Sequence, residues 1–133
     1  MKALWLLSAL LLAAPCHAYT VAELLEDCRA AETIRPETQA STPPSSARGA
    51  RCTGYLMGIA DGYAIGDYLA SKGGLQLNAF CLPRDPDLIH RLTRAVIIQL
   101  ERMPPNSTSS TASAVATALA KTFPCPDSLE QKK

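Results

Sequence analysis

Apolar residues recur at the spacing of an α-helix in four separate segments of this chain. The stripe in the first segment consists of Val21, Leu24, Leu25 and Cys28. Thr20 and Glu23 have the spacing of a capping box, so this helix is predicted to begin at Thr20 and to end near Thr33. Residues 36–50 contain three prolines and few apolar side chains, which predicts a mobile connector.

A second helix is predicted from about Arg51 to Ala70, and glycine occupies every fourth position along one of its stripes. These glycines are Gly54, Gly58, Gly62 and Gly66. Each glycine inside a helix costs up to about 1 kcal/mol relative to alanine, so we expect a compensating gain. The expected gain is close packing of another helix, from the same protein or from a second subunit; scattering by chance is the alternative. Asp61 and Asp67 argue against a membrane helix, in which this spacing also occurs.

The third and fourth helices have clearer boundaries. The third is predicted to begin with Asp85 as its N-cap, is apolar over most of its circumference, and ends before the prolines at 104 and 105. The fourth is predicted to extend from about Thr111 to Phe123. We therefore predict an all-α fold, a small bundle of four main helices.

The first 18 residues are typical of a secretory signal peptide that is cleaved after Ala18. Its apolar run, Ala3–Ala14, is shorter than the roughly 20 residues that a membrane span requires. A lipoprotein attachment site at Cys16 is the alternative, but the proline before this cysteine fits such a site poorly. The predicted organisation is a signal peptide, 1–18, and one exported domain, 19–133, with no membrane segment after cleavage.

Four cysteines remain after the signal peptide, and an even number in a small exported domain predicts two disulfides. Three pairings are possible. A zinc site is the alternative, but zinc-binding cysteines occur in closely spaced pairs, whereas the smallest gap here is 52 − 28 = 24 residues. If the first two helices and the last two each form a hairpin, only neighbouring ends come close enough to be bridged. We therefore predict the disulfides Cys28–Cys52 and Cys81–Cys125.

Few residues suggest catalysis. His90 is the single histidine after the signal peptide, and the cysteines are assigned to disulfides. Loss of Lys2 leaves 13 − 1 = 12 basic residues against 12 acidic ones, so the net charge offers no attraction to nucleic acid. The sequence predicts a protein-binding domain that is not an enzyme and has no metal, cofactor or nucleic-acid partner.

Three short motifs occur in a characteristic order over about residues 20–126. They are Cys52-Thr-Gly-Tyr-Leu-Met-Gly-Ile-Ala-Asp61, Phe80-Cys-Leu-Pro83 and Phe123-Pro-Cys-Pro126. This order resembles the Rap/Tai family of periplasmic immunity proteins, which block peptidoglycan amidase toxins of type VI secretion systems. The resemblance implies an all-helical, often homodimeric inhibitor that occludes the amidase cleft with a loop and a helix. A periplasmic chaperone or stress protein without a cognate toxin is the alternative.

A narrow exposed protrusion is best suited to fill an enzyme cleft, so partner-binding residues are predicted in the long connections. The turn between the third and fourth helices provides Arg102, Asn106, Ser107 and Thr108. Tyr68 and Lys72, beside the connection between the second and third helices, form a second predicted patch. A solvated polar loop is the alternative interpretation of these residues.

Overall fold

The computed structural model describes residues 19–33, 43–104 and 107–126, with side chains from residue 46 onward in the second of these stretches. The described residues contain no strand and form four helices: α1, Val21–Thr33; α2, Pro43–Lys72; α3, Leu88–Glu101; and α4, Thr111–Thr122. The all-α prediction is confirmed. Within these stretches, no helix combines the length and the apolar character needed to cross a bilayer. The predicted signal peptide lies outside the described residues.

Two helices begin with the side-chain caps that their sequences encode. At α1, the Glu23 N–H donates to Thr20 Oγ1 at 3.2 Å, and the Thr20 N–H donates to Glu23 Oε2 at 2.9 Å, which confirms the capping box. At α4, Ser110 Oγ accepts from the Ser113 N–H at 3.2 Å. These bonds use backbone donors that have no acceptor within the helix.

The predicted boundaries of α2 and α3 are partly wrong. Residues 43–50 were expected in the connector, but α2 already begins at Pro43. A proline is compatible with the first helical turn because the N–H it lacks would have no acceptor there. Helix α3 begins at Leu88, later than expected, although Asp85 Oδ1 still accepts from the Asp87 N–H at 2.9 Å.

Helix α2 ends in a Schellman motif. Gly74, at φ 76°, adopts the left-handed conformation that lets the Leu75 N–H donate to the Ala70 carbonyl at 3.0 Å. The Gly74 N–H donates to the Ser71 carbonyl, also at 3.0 Å. This geometry stops the helix sharply and fixes the direction in which the chain leaves it.

Helices α1 and α3 each pack against all three of the other helices. The largest fully buried apolar side chains are Leu24, Leu56, Leu92, Val96, Val115 and Leu119. Cys28–Cys52 joins α1 to α2, and Cys81–Cys125 joins the segment before α3 to the segment after α4. Both predicted disulfides are confirmed.

A buried acidic side chain also connects the helices. Asp27 of α1 is 1% exposed, and its carboxylate accepts hydrogen bonds from Arg51 of α2 and from the Tyr19 phenol. Arg51 contacts both carboxylate oxygens at 3.0 Å, so the pair is bidentate. Because a buried carboxylate is stable only when it is hydrogen-bonded and paired, this cluster fixes how α1 and α2 align.

Candidate functional site

Large apolar side chains are exposed at the C-terminal end of α2 and in the segment that follows it. They are Ile65, Tyr68, Leu69, Leu75 and Leu77. Leu69 is 62% exposed and Leu75 is 68% exposed, so neither contributes much to the core. Single exposed apolar residues are common on proteins, but several close together in the chain indicate an interaction surface. We refer to Tyr68, Lys72, Leu75 and Leu77 as the α2 tip.

Residues 73–79, which follow α2, are exposed but are held by hydrogen bonds to α2. Asp67 Oδ1 accepts from the Leu77 N–H at 3.0 Å, and Tyr63 Oη accepts from the Ala79 N–H at 2.8 Å. The Tyr63 ring stacks on the buried Phe80 ring, with centroids 3.9 Å apart. The segment after α2 is therefore attached to α2 by two hydrogen bonds and to the core through Phe80. Because it is already ordered, binding a partner would cost less conformational entropy.

Tyr68 and Lys72, predicted together as a contact patch, do lie together in the structure. They are one helical turn apart, and Lys72 Nζ lies 4.9 Å from the centroid of the Tyr68 ring, in a cation–π contact. Both side chains are exposed. The pair combines an aromatic side chain, a type enriched at protein interfaces, with a positive charge.

The predicted patch after α3 is polar where the structure describes it. Arg102, Ser107 and Thr108 are exposed, and Asn106 lies outside the described residues. The Arg102 N–H donates to the Gln99 carbonyl at 3.2 Å, so this residue closes the helix. No large apolar side chain is exposed in the described part of this turn, unlike at the α2 tip.

The glycine face of α2 has no partner helix among the described residues. A Cβ atom built at Gly54, Gly58 or Gly62 would meet no atom of another part of the chain within 4 Å. Among the described residues, therefore, no helix packs closely on these three glycines, and packing against a second subunit stays a prediction. The reason is that α2 turns its opposite face, with Cys52 and Leu56, toward α1.

Gly66 differs from the other three glycines. A Cβ atom there would lie 3.6 Å from Leu77 Cδ1, in ordinary van der Waals contact. Leu77 therefore folds back over α2 at this point. The contact adds to the bonds that fix the α2 tip.

Two clefts are open on the described surface. One, of about 610 Å³, lies between the end of α1 and the beginnings of α2 and α3, and its lining includes Glu32, Thr53 and His90. The other, of about 330 Å³, is lined by Tyr19, Glu23, Arg51, Gly54 and Tyr55. No cluster of His, Cys, Asp and Glu side chains among the described residues has the arrangement of a metal site.

Sequence reasoning missed four exposed apolar residues, Ile65, Leu69, Leu75 and Leu77. A signal was available for two of them, because Ile65 and Leu69 fall outside the apolar stripe that includes Cys52, Leu56 and Tyr63. Leu75 and Leu77 follow α2, and outside a helix the spacing of apolar residues does not predict which side chains are exposed.

One family of known proteins matches nearly all of the described chain. A model of the family described as Rap1a immunity proteins matches residues 20–125, which include all four helices and both disulfides. No curated protein and no solved structure gives a significant match.

Proposed function

The chain belongs to the Rap1a immunity protein family, and on this basis we propose that it is a periplasmic immunity protein that blocks a peptidoglycan amidase toxin of a type VI secretion system. The family match over residues 20–125 is the observation that carries the proposal. Inhibition then needs binding alone, and the chain acts as an inhibitor rather than as an enzyme. Identification of the target as an amidase rests on the resemblance of the three sequence motifs.

The α2 tip is the surface that best fits an enzyme cleft. Tyr68, Leu75 and Leu77 offer exposed apolar contacts, and Lys72 adds a charge beside them. Binding energy at interfaces is concentrated in a few such residues, surrounded by polar contacts that exclude water. The tip is held in place before binding by the bonds to Asp67 and Tyr63. We propose that it contacts the amidase, with Arg102 and the turn after α3 as a second contact.

Export fits the chemistry of this chain. Disulfides persist in oxidising compartments such as the bacterial periplasm, and both disulfides here join separate parts of the fold. Peptidoglycan lies in the same compartment, so an inhibitor of an amidase must act there. We propose cleavage of the signal peptide after Ala18 and a homodimer as the working form.

A general periplasmic chaperone is the second candidate, because an exposed apolar surface also binds unfolded clients. The hydrogen bonds that fix the segment after α2 favour one defined partner over many. Co-purification separates the two candidates. The mature chain is immobilised and exposed to periplasmic extract from a strain that carries the secretion system, and bound proteins are identified.

The inhibitor predicts one amidase in a stoichiometric complex, which the purified amidase then reproduces. Many weakly bound proteins, without an amidase among them, would favour the chaperone. A gene for a small amidase next to the gene for this chain would support the inhibitor independently.

A further inference from the structure

Tyr19, the first residue after the proposed cleavage of the signal peptide, is fixed in the fold by its side chain and by its backbone. Its phenol donates to the Asp27 carboxylate, and its carbonyl accepts from Thr111 Oγ1 at 2.5 Å. The next backbone N–H, that of Thr20, donates to Glu23 Oε2 at 2.9 Å. Both polar atoms of the peptide group between Tyr19 and Thr20 are therefore hydrogen-bonded within the folded domain. We refer to this arrangement as the docked state of Tyr19.

The partners of Tyr19 come from distant parts of the chain. Asp27 and Thr111 are buried, and Thr111 lies 92 residues after Tyr19, at the beginning of α4. The Tyr55 ring of α2 meets the Tyr19 ring edge to face, with centroids 5.1 Å apart. The docked state is therefore complete only when α1, α2 and α4 have packed together.

A protease must separate Tyr19 from the fold before it can cut the preceding bond. Proteases bind an extended chain on both sides of the bond they hydrolyse, so cleavage between Ala18 and Tyr19 requires Tyr19 and Thr20 to leave their partners. A folded chain is cut only through such local opening, and the rate follows the population of the opened form. The docked state lowers this population.

We propose that docking of Tyr19 closes the processing site, so that signal peptidase cuts the chain before α4 packs and the new N-terminus is afterwards protected from exopeptidases. The inference rests on the cleavage after Ala18 that is part of the proposed function. In this step water hydrolyses the amide bond and leaves a carboxylate on Ala18 and an ammonium group on Tyr19.

The order of export makes such a sequence of events possible. An exported chain emerges with its N-terminus first, so residues 18 and 19 reach the signal peptidase before Thr111 contacts Tyr19. Chain termini are preferred sites of proteolysis unless they are tied down. Docking therefore lengthens the lifetime of an inhibitor that must be present before its toxin arrives.

Digestion of the full chain, residues 1–133, by purified signal peptidase tests the proposal. The chain is refolded in detergent micelles with both disulfides formed, and the products are identified by mass spectrometry. The folded wild type should be cut at least about tenfold more slowly than the same chain with its cysteines reduced and alkylated. Alkylation prevents folding because Cys28 and Cys52 are fully buried.

Substitution at Thr111 separates docking from any change in the sequence that is cut. Thr111→Val removes the hydroxyl that contacts the Tyr19 carbonyl, and it should speed cleavage of the folded chain at least about threefold without changing the circular dichroism spectrum. Thr117→Val is the matched control on α4, because the Thr117 hydroxyl donates to the Ser113 carbonyl of the same helix at 2.8 Å. This variant and Thr111→Ser, which keeps the hydroxyl, should be cut like wild type.

Tyr19→Phe tests the docked state through a different bond, that to Asp27. It should also be cut faster than wild type, and its comparison with Tyr55→Phe decides the question if Thr111→Val does not fold. An aminopeptidase should release residue 19 from the mature variants in the same order of rates.

Equal rates for folded and alkylated wild type would overturn the proposal, and so would equal rates for each variant and its control. A cut at another bond would overturn it too, by removing the cleavage site on which it rests. Amidase inhibition by the mature chain is measured separately and does not depend on when the signal peptide was removed. Equal cleavage rates beside full inhibition would therefore leave the proposed inhibitor standing.

Discussion

The phenol of Tyr19 donates a hydrogen bond of 2.5 Å to the buried carboxylate of Asp27. The Tyr19 carbonyl also accepts from Thr111 Oγ1 at 2.5 Å, at the beginning of α4. Burial, and then the bond to Asp27, raise the pKa of Tyr19 above its usual range, so the phenol remains a hydrogen-bond donor well into the alkaline range. Tyr19, which precedes α1, therefore connects α1 to α4. Arg51 of α2 contacts the same carboxylate.

Replacement of Tyr19 by phenylalanine should destabilise the fold. The Asp27 carboxylate would lose one of its donors while staying buried beside Arg51, and a hydrogen bond to a charged group contributes about 1.5–3 kcal/mol. Tyr55→Phe is the matched control, because the Tyr55 ring contacts Tyr19 but its hydroxyl has no hydrogen bond to the described residues. Urea unfolding measures both variants. Equal stabilities for the two would contradict a structural role for the Tyr19 hydroxyl.

Removal of either disulfide, by changing both of its cysteines to alanine, should lower the free energy of unfolding by about 2–4 kcal/mol. The cysteines are 24 residues apart in Cys28–Cys52 and 44 apart in Cys81–Cys125. The longer loop loses more chain entropy when it is closed, so loss of Cys81–Cys125 should cost about 0.5 kcal/mol more. Urea unfolding of the two double variants tests this order. The reverse order would mean that packing around Cys28–Cys52 outweighs the effect of loop length.

Leucine at position 58 should be tolerated by the fold, whereas leucine at position 60 should damage it. Space around Gly58 is open, and leucine is the better helix former by up to about 1 kcal/mol. Ala60 is buried, and forcing a larger side chain into a packed core costs about 1–3 kcal/mol. Thermal unfolding of both variants measures the difference. A lower midpoint for Gly58→Leu than for Ala60→Leu would show that another part of the chain covers position 58.

Comparison of these two positions shows what the sequence can and cannot predict. Helical spacing and cysteine order are local or nearly local signals, so four helices and both disulfides could be predicted. Which side of α2 is buried depends on how α1 lies against it. A glycine stripe has the same sequence pattern whether it faces a helix or solvent. The prolines in residues 36–50 predict a connector, but Pro43 lies in the first turn of α2, where proline does not oppose a helix.

The beginning of α3 should make stability depend on pH in the acid range. The backbone N–H of Asp87, and then the side chain of Arg91, lower the pKa of Asp85 below its ordinary value of 3.8. A carboxylate with a lowered pKa stabilises the fold above its unfolded pKa, and this contribution is lost as the pH falls through the folded pKa.

We therefore expect Asp85→Asn to reduce the loss of stability between roughly pH 5 and pH 2 relative to wild type. Arg91→Gln, which removes the partner 2.8 Å from Asp85, should reduce it by a smaller amount. Chemical unfolding across this pH range measures both variants. Identical acid profiles for all three proteins would contradict a lowered pKa at Asp85.

Titration of the cognate amidase with the mature chain tests whether the α2 tip binds the toxin, with residual hydrolysis of purified peptidoglycan as the signal. We expect full inhibition by wild type near one inhibitor chain per amidase. The double variant Tyr68→Ala, Leu75→Asp should need at least about tenfold more protein, because truncation of interface anchors costs more than about 1 kcal/mol each. Ala116→Asp, an exposed control on α4, should inhibit like wild type. Full inhibition by the double variant at the wild-type ratio would contradict the claim that the α2 tip binds the toxin.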